Sequence, residues 1–229
     1  MPSIIINTNQ KDFFIAMKKS NLVFSILSLL IILSSPVAFA EEPATKEIKI
    51  AFNLFSVDVK HNGKTVTIKR NQDKKNQIVD FYKKTSRGTI QKMYPFKPHT
   101  IETLGEREMI DYIKEMSDGD DSIIIIDSRT PDWVKLTGVI PGAVNIPFTE
   151  FKSSESTLDI MEDHFNVESG NVFNFKNAKT LVMYCNGNWC GQSPTAIKRL
   201  LKMGYPAAKI KYYRGGMHSW AALGLTVIK

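Results

Sequence analysis

Downstream of residue 100 the chain alternates amphipathic stretches with short apolar runs. Met109, Ile110, Ile113 and Met116 recur on one helical face, and Thr103-Leu104-Gly105-Glu106 ahead of them reads as a capping box. Gly119-Asp120-Asp121 is a turn, and Ile123-Ile124-Ile125-Ile126 follows as a continuous apolar run ending at Asp127. A run of this kind predicts a strand buried on both faces, hence a parallel sheet covered by helices. Ala143-Val144-Asn145-Ile146 predicts a second strand, residues 156–165 a helix, and Thr180-Leu181-Val182-Met183-Tyr184 a third strand ending at Cys185. Ser193-Pro194 reads as a helix start with Ser at the N-cap; Ala196, Ile197, Leu200 and Leu201 are its buried stripe, and Gly204 closes it. Lys209 to Tyr213 is a fourth strand, and Gly215-Gly216 leads into a short helix carrying Trp220. The fold class expected is α/β: a parallel sheet with helices on both faces.

Residues 48–79 follow a different rhythm. Ser56 to Lys60 and Thr65 to Lys69 both alternate apolar and polar positions, and Asn62-Gly63 between them is a strong hairpin signal. This segment is too small to bury a good core alone, so it is expected to pack on the larger domain or extend its surface. Pro95 and Pro98 mark an extended connector. Upstream, Lys18-Lys19, the apolar stretch Leu22 to Leu33, Pro36 and Ala38-Phe39-Ala40 have the order of a secretory leader with its cleavage site. The apolar stretch of about 12 residues is short for a membrane span, which needs ~20. The expected organisation is therefore a signal peptide over 1–40 (Met17 being the natural start and 1–16 an over-extended reading frame), a β-rich extension over 41–100 beginning at Glu41, and a domain over 101–229. The expected location is periplasmic.

Composition narrows the function classes. The chain has 229 residues, 43% apolar and 23% charged, with a net charge of +7, which excludes wholesale disorder and a polytopic membrane protein. The positive charge is confined to the first third of the exported chain: residues 41–100 carry 13 basic and 6 acidic residues, residues 101–229 carry 14 and 16. This basic face suits a solvated surface or an acidic protein partner; no nucleic-acid motif accompanies it. The four histidines lack metal-ligand spacing, and two cysteines cannot make a four-thiolate zinc site. Neither a metal nor a cofactor is expected.

Chemistry concentrates in Tyr184-Cys185-Asn186-Gly187-Asn188-Trp189-Cys190-Gly191-Gln192-Ser193. A cysteine at the C-terminal end of a parallel strand lies at the binding edge of an open sheet. The helix that follows directs its N-terminus back at the thiol, where loop N–H groups and the helix dipole hold a thiolate or an anion. Gly187 and Gly191 are expected to supply left-handed turns for such a cradle.

Two further stretches carry a family resemblance. Ile126-Asp127-Ser128-Arg129 with Gly138-Val139-Ile140-Pro141-Gly142-Ala143-Val144-Asn145-Ile146-Pro147, and Tyr213-Arg214-Gly215-Gly216-Met217-His218-Ser219-Trp220-Ala221-Ala222-Leu223-Gly224-Leu225, resemble the two signatures of rhodanese domains, with the Cys185 loop between them. The resemblance covers about residues 101–229. It implies a rhodanese-like sandwich in which Cys185 takes up sulfane sulfur as a persulfide and passes it on. Substrates would be a small sulfur-containing anion such as thiosulfate and a thiol or cyanide acceptor. In the family, Asp127 and Arg129 correspond to positions that hold the active-site loop or touch substrate.

The loop departs from the family in three ways. It is about two residues longer than Cys-x-x-Gly-x-Arg/Thr-Ser, it contains no Arg or Lys, and it has a second thiol, Cys190. The related dual-specificity phosphatases use Cys-x5-Arg; here Gly191 stands at the Arg position, which disfavours phosphatase chemistry. With no cation in the loop, anion affinity falls to its N–H groups, the helix end, or Arg129 and Arg214 from outside. Trp189 is expected at the pocket mouth or as a lid. Cys190 is expected to attack a Cys185 persulfide, pair with Cys185 as a disulfide, or simply pack. The expected function is exported sulfur transfer; the alternatives are a thiol–disulfide redox protein using Cys185 and Cys190, and a non-catalytic module binding an anion or a partner.

Overall fold

The computed structural model describes residues 47–229; the leader expected over 1–40 and the start expected at Glu41 lie outside them. Five strands form one parallel sheet in the order β3-β7-β6-β4-β5: β3 (Glu102–Leu104), β4 (Ile123–Asp127), β5 (Val144–Asn145), β6 (Thr180–Tyr184) and β7 (Ile210–Tyr213). The isoleucine run behaves as its pattern requires. Ile123 and Ile125 enter one apolar cluster, Ile124 and Ile126 the other. The same alternation sends Val182 and Tyr184 of β6 one way and Leu181 and Met183 the other.

Helices cover both faces. On one lie α2 (Glu106–Ser117), through Met109, Ile110 and Ile113, and α6 (Gly216–Ala222), through Met217 and Trp220. On the other lie α4 (Ser154–Phe165) and α5 (Gln192–Lys202), through Met161, Phe165, Ala196, Ile197 and Leu200. Each fully buried side chain of this size contributes about 1.5–3 kcal/mol, as an upper figure. A short α3 (Pro131–Thr137), which no apolar periodicity announced, follows β4 with proline in its first turn.

Two expected helix starts are displaced. Gly105 is the N-cap of α2; Glu108 reaches back to its N–H (3.1 Å), while Thr103 belongs to β3. Gly191, not Ser193, precedes α5, so Ser193 sits inside the first turn and is buried. In both cases the cap falls two residues from the hydroxyl expected to supply it.

The hairpin is where the alternation placed it. Strand β1 (Ser56–His61) pairs antiparallel with β2 (Lys64–Lys69) through Asn62 and Gly63, both at positive φ. Val57, Val59 and Ile68 are buried in the same cluster as α2 and Trp220. His61 Nδ1 accepts the Gly142 N–H (3.2 Å), and burial holds this imidazole below its usual pKa. The chain after β2 is bound to the C-terminal stretch: Thr226 N–H donates to the Lys69 carbonyl (3.1 Å) and Asn71 N–H to that of Gly224 (2.7 Å). A four-residue helix α1 (Asp80–Lys83) follows, then irregular chain to β3 in which Phe96 is buried edge-on against Tyr212.

Candidate active site

Three strand ends meet at the C-terminal edge of the sheet. Strand β6 delivers Cys185, β4 delivers Asp127 to Arg129, and β7 delivers Arg214 just before α6. Helix α6 fixes where the thiol loop begins: Met217 N–H donates to the Cys185 carbonyl (3.0 Å) and His218 N–H to that of Asn186 (2.9 Å). Gly216 makes this approach possible. It adopts φ 55°, and a Cβ there would overlap the Cys185 carbonyl oxygen and lie 2.9 Å from the Gly187 nitrogen.

Gly187 and Gly191, by contrast, do not adopt the left-handed turns expected of them; Gly191 has φ −91°. Gly187 is needed for closeness: a Cβ there would stand 2.7 Å from the Trp189 ring. The loop turns through a Cys190 N–H bond to the Gly187 carbonyl (2.9 Å).

The loop brings its two thiols together at the first turn of α5. Cys185 is 2% exposed and Cys190 7%. Cys185 Sγ lies 3.5 Å from the Cys190 carbonyl oxygen and Cys190 Sγ 3.7 Å from Gln192 Oε1. Burial, then the neighbouring Cys190 thiol, push Cys185 well above the ordinary thiol range; the N–H of Ser193 opposes this. Cys190 is lowered to about 7, first by the neighbouring Cys185 thiol, then by the N–H groups of Gln192 and Asn186 and the charge of Arg129, against its own burial. The two thiols titrate as a pair, and the direction of the shifts favours losing the first proton from Cys190. The sequence pattern pointed to Cys185 as the activated thiol.

Three buried hydroxyls, Ser128 Oγ, Ser193 Oγ and Tyr212 Oη, have no hydrogen-bond partner of ordinary geometry in this resting state. Tyr212 is close enough for the charges of both thiols, after burial, to raise its phenol. Nothing in the sequence singled out Tyr212; it lies on the face of β7 that Met183 shares on β6.

Arg129 and Asp127 are both fully buried and occupied with each other. Arg129 Nε lies 2.8 and 3.1 Å from the two Asp127 oxygens, Nη1 donates to Thr137 Oγ1 (2.6 Å), and Nη2 donates to Asp127 and to the Gly138 carbonyl (2.6 Å). Tyr184 Oη donates to Asp127 (3.0 Å) and accepts the Ile140 N–H (3.2 Å). Burial works against the Arg129 charge, but Asp127 more than offsets it and raises the guanidinium above its usual range. Arg214 is likewise engaged: Nε (3.2 Å) and Nη2 (2.7 Å) donate to the Gln91 carbonyl.

Gln91 belongs to a strap, residues 80–91, that lies over the thiol loop. Its own N–H donates to the Asn188 carbonyl (2.8 Å). Tyr82 Oη donates to Asn186 Oδ1 (3.0 Å). Gly88 packs so near Trp189 that a Cβ would lie 2.7 Å from Cδ1, and His218 stands edge-on between Tyr82 and Trp189, at 5.6 and 5.1 Å. Trp189 is therefore clamped between Gly88, Gly187 and His218. Among the described residues no cluster of His, Cys, Asp or Glu could hold a metal ion, and no helix is long and apolar enough to cross a membrane.

The fold and edge define a class: a parallel α/β domain presenting buried thiols at the end of a central strand. The chain belongs to the rhodanese-like domain family, whose model matches residues 109–223. Among solved structures it is similar to a rhodanese-related protein of Thermoplasma volcanium (22% identity, 56% of this chain and 97% of that one, TM-score 0.37). It is also similar to a single-domain sulfurtransferase of Saccharomyces cerevisiae (18%, 56% and 95%, TM-score 0.40) and to a Rhodopseudomonas palustris protein of unknown function described as a possible tyrosine phosphatase (24%, 56% and 84%, TM-score 0.39). No curated protein matches the chain.

Proposed function

We propose that this protein is an exported sulfurtransferase that carries sulfane sulfur as a persulfide on Cys185. The observation that carries the reading is the pair of buried thiols at the first turn of α5, with Cys185 at the end of the central strand β6 and its Sγ 3.5 Å from the Cys190 carbonyl oxygen. Cys185 passes its proton to the Cys190 thiolate and attacks the outer sulfur of a donor such as thiosulfate. The donor S–S bond breaks, sulfite leaves as the dianion with the bonding pair, and Cys190 returns the proton to the outer sulfur. The outer sulfur remains on Cys185 as a persulfide for a thiol or cyanide acceptor. Loop N–H groups and the unspent hydroxyls of Ser193 and Tyr212 serve the developing negative charge in place of a loop cation. Export rests on the leader pattern over 1–40, and the basic 41–100 region offers an acidic partner a surface.

Thiosulfate should add one sulfur, about 32 Da, to reduced protein with release of sulfite, and Cys185→Ser should abolish the adduct. Retention of the adduct in Cys185→Ser would move the role to Cys190. Export predicts a product beginning at Glu41 in the periplasmic fraction of a Gram-negative host; a full-length cytoplasmic product would refute it. A second reading, a thiol–disulfide redox protein, draws on the same contact between the two thiols. Reduced protein mixed with thiosulfate decides between them: release of sulfite supports sulfur transfer, and its absence the redox reading.

A further inference from the structure

The pair suggests a chemistry that a lone nucleophile cannot perform. We propose that Cys190 resolves the Cys185 persulfide within the same chain, releasing hydrosulfide and closing a Cys185–Cys190 disulfide. The inference rests on the sulfurtransferase reading and names the first acceptor of that site.

Three observations lead to it. Cys185 Sγ lies 3.5 Å from the Cys190 carbonyl oxygen in a loop that buries both thiols, so the attacking residue is already beside the one it would strike. Holding reactants in place in this way replaces an encounter between molecules. Second, an outside acceptor is poorly served. Cys185 is 2% exposed, and the strap closes over the loop through Tyr82–Asn186, Gly88–Trp189 and Gln91–Asn188. Third, the loop has room to bring the β-carbons to the ~3.8 Å of a disulfide. Gly191, between Cys190 and α5, has nothing within 4 Å of where a Cβ would stand, and the one turn bond of the loop is Cys190 N–H to Gly187.

The step balances as follows. The Cys190 thiolate attacks Cys185 Sγ of the persulfide. A bond forms between the two Sγ atoms, the bond from Cys185 Sγ to the outer sulfur breaks, and the outer sulfur departs as HS⁻ with the electron pair. That sulfur gains two electrons, and the two cysteine sulfurs lose one each. A dithiol, or two small thiols, then reduces the disulfide by exchange. Over a full cycle one thiosulfate and two thiols become one sulfite, one sulfide and one disulfide. The protein then acts as a thiol-dependent sulfide-releasing enzyme and needs no persulfide carrier.

The test is a single turnover. Reduced full-length chain, freed of reductant under argon, is mixed with excess thiosulfate and run to completion; sulfite, sulfide and intact mass are read together. Wild type should release one sulfite and one sulfide per chain and lose about 2 Da, the two hydrogens of a new disulfide. Cys190→Ser and Cys190→Ala should each release one sulfite, gain about 32 Da and release no sulfide until a small thiol is added. Wild type that keeps the added sulfur and yields no sulfide overturns the inference and leaves the sulfurtransferase reading standing. Absence of sulfite and of any adduct in all three proteins overturns both.

Discussion

Two buried charge-bearing sites stand side by side at the ends of neighbouring strands, and they are built on opposite plans. At the end of β4, Asp127 and Arg129 use one another, Thr137, the Gly138 carbonyl and Tyr184, and nothing is left over for a ligand. At the end of β6, Cys185 and Cys190 are buried near the hydroxyls of Ser193 and Tyr212, which have no partner. A saturated network is stable as it is, and its geometry cannot respond to a charge that arrives later. An unsaturated one is held ready for that charge. The contrast assigns Asp127 and Arg129 to positioning: they hold the β4 end and lend the pair a favourable field through Arg129, while the thiols carry the chemistry.

The sharpest way to break this contrast is to exchange the kinds of damage. Cys185→Ser should remove all thiosulfate-derived adduct while shifting unfolding free energy by under about 1 kcal/mol, since it swaps one small buried group for another. Arg129→Ala should leave the Asp127 carboxylate buried and unpaired and cost about 3–5 kcal/mol in denaturant titration. Arg129→Lys should recover only part of that, because an ammonium cannot span both carboxylate oxygens and the Gly138 carbonyl. A stable Arg129→Ala protein lacking sulfur uptake would show that Arg129 handles substrate, and the contrast would fail.

The two sites were not equally legible. Asp127 and Arg129 stand at the end of an isoleucine run whose strand is set by local pattern, and Cys185 is placed by the same logic one strand over. The Asn62-Gly63 hairpin is equally local. What escaped depends on contacts between distant parts of the chain. Tyr82, Gly88 and Gln91 lie roughly a hundred residues from the loop they cover, in chain with no periodicity. The charge on Cys190 depends on N–H groups and an arginine that only the folded chain assembles. Gly187 and Gly191 were misjudged for a similar reason: neither takes a left-handed turn, and Gly187 answers instead to the Trp189 ring, which Gly88 and His218 hold from distant parts of the chain.

The coupled titration of Cys185 and Cys190 gives the thiol site a pH signature that the ion pair lacks. Cys190 is lowered to about 7, so the charged form of the pair predominates above that pH, and sulfur uptake should rise with pH through it. In Cys190→Ser the neighbouring negative charge disappears, but burial still holds Cys185 up and its proton acceptor is gone. The midpoint for single-turnover sulfite release should therefore move above that of wild type. A midpoint left in place would mean that Cys185 ionises independently, and the two thiols would no longer count as one site.

The smallest effect expected tests whether the strap belongs with the scaffold or with the thiols. Gly88 touches Trp189 closely enough that a methyl group there must displace the indole or lift residues 84–91. Either movement loosens the Asn188–Gln91 bond and thins the cover over Cys185 without touching the Asp127–Arg129 network. Gly88→Ala should cost about 1–3 kcal/mol as an overpacked contact. Alkylation of the reduced pair by iodoacetamide should quicken severalfold, and the gain should be larger for a bulky maleimide, because a cover discriminates by size. Sulfite release from the much smaller thiosulfate should change least. If alkylation slows, or both reagents gain equally, the strap is not the barrier over the thiols, and the low exposure of Cys185 comes from the loop and α5 alone.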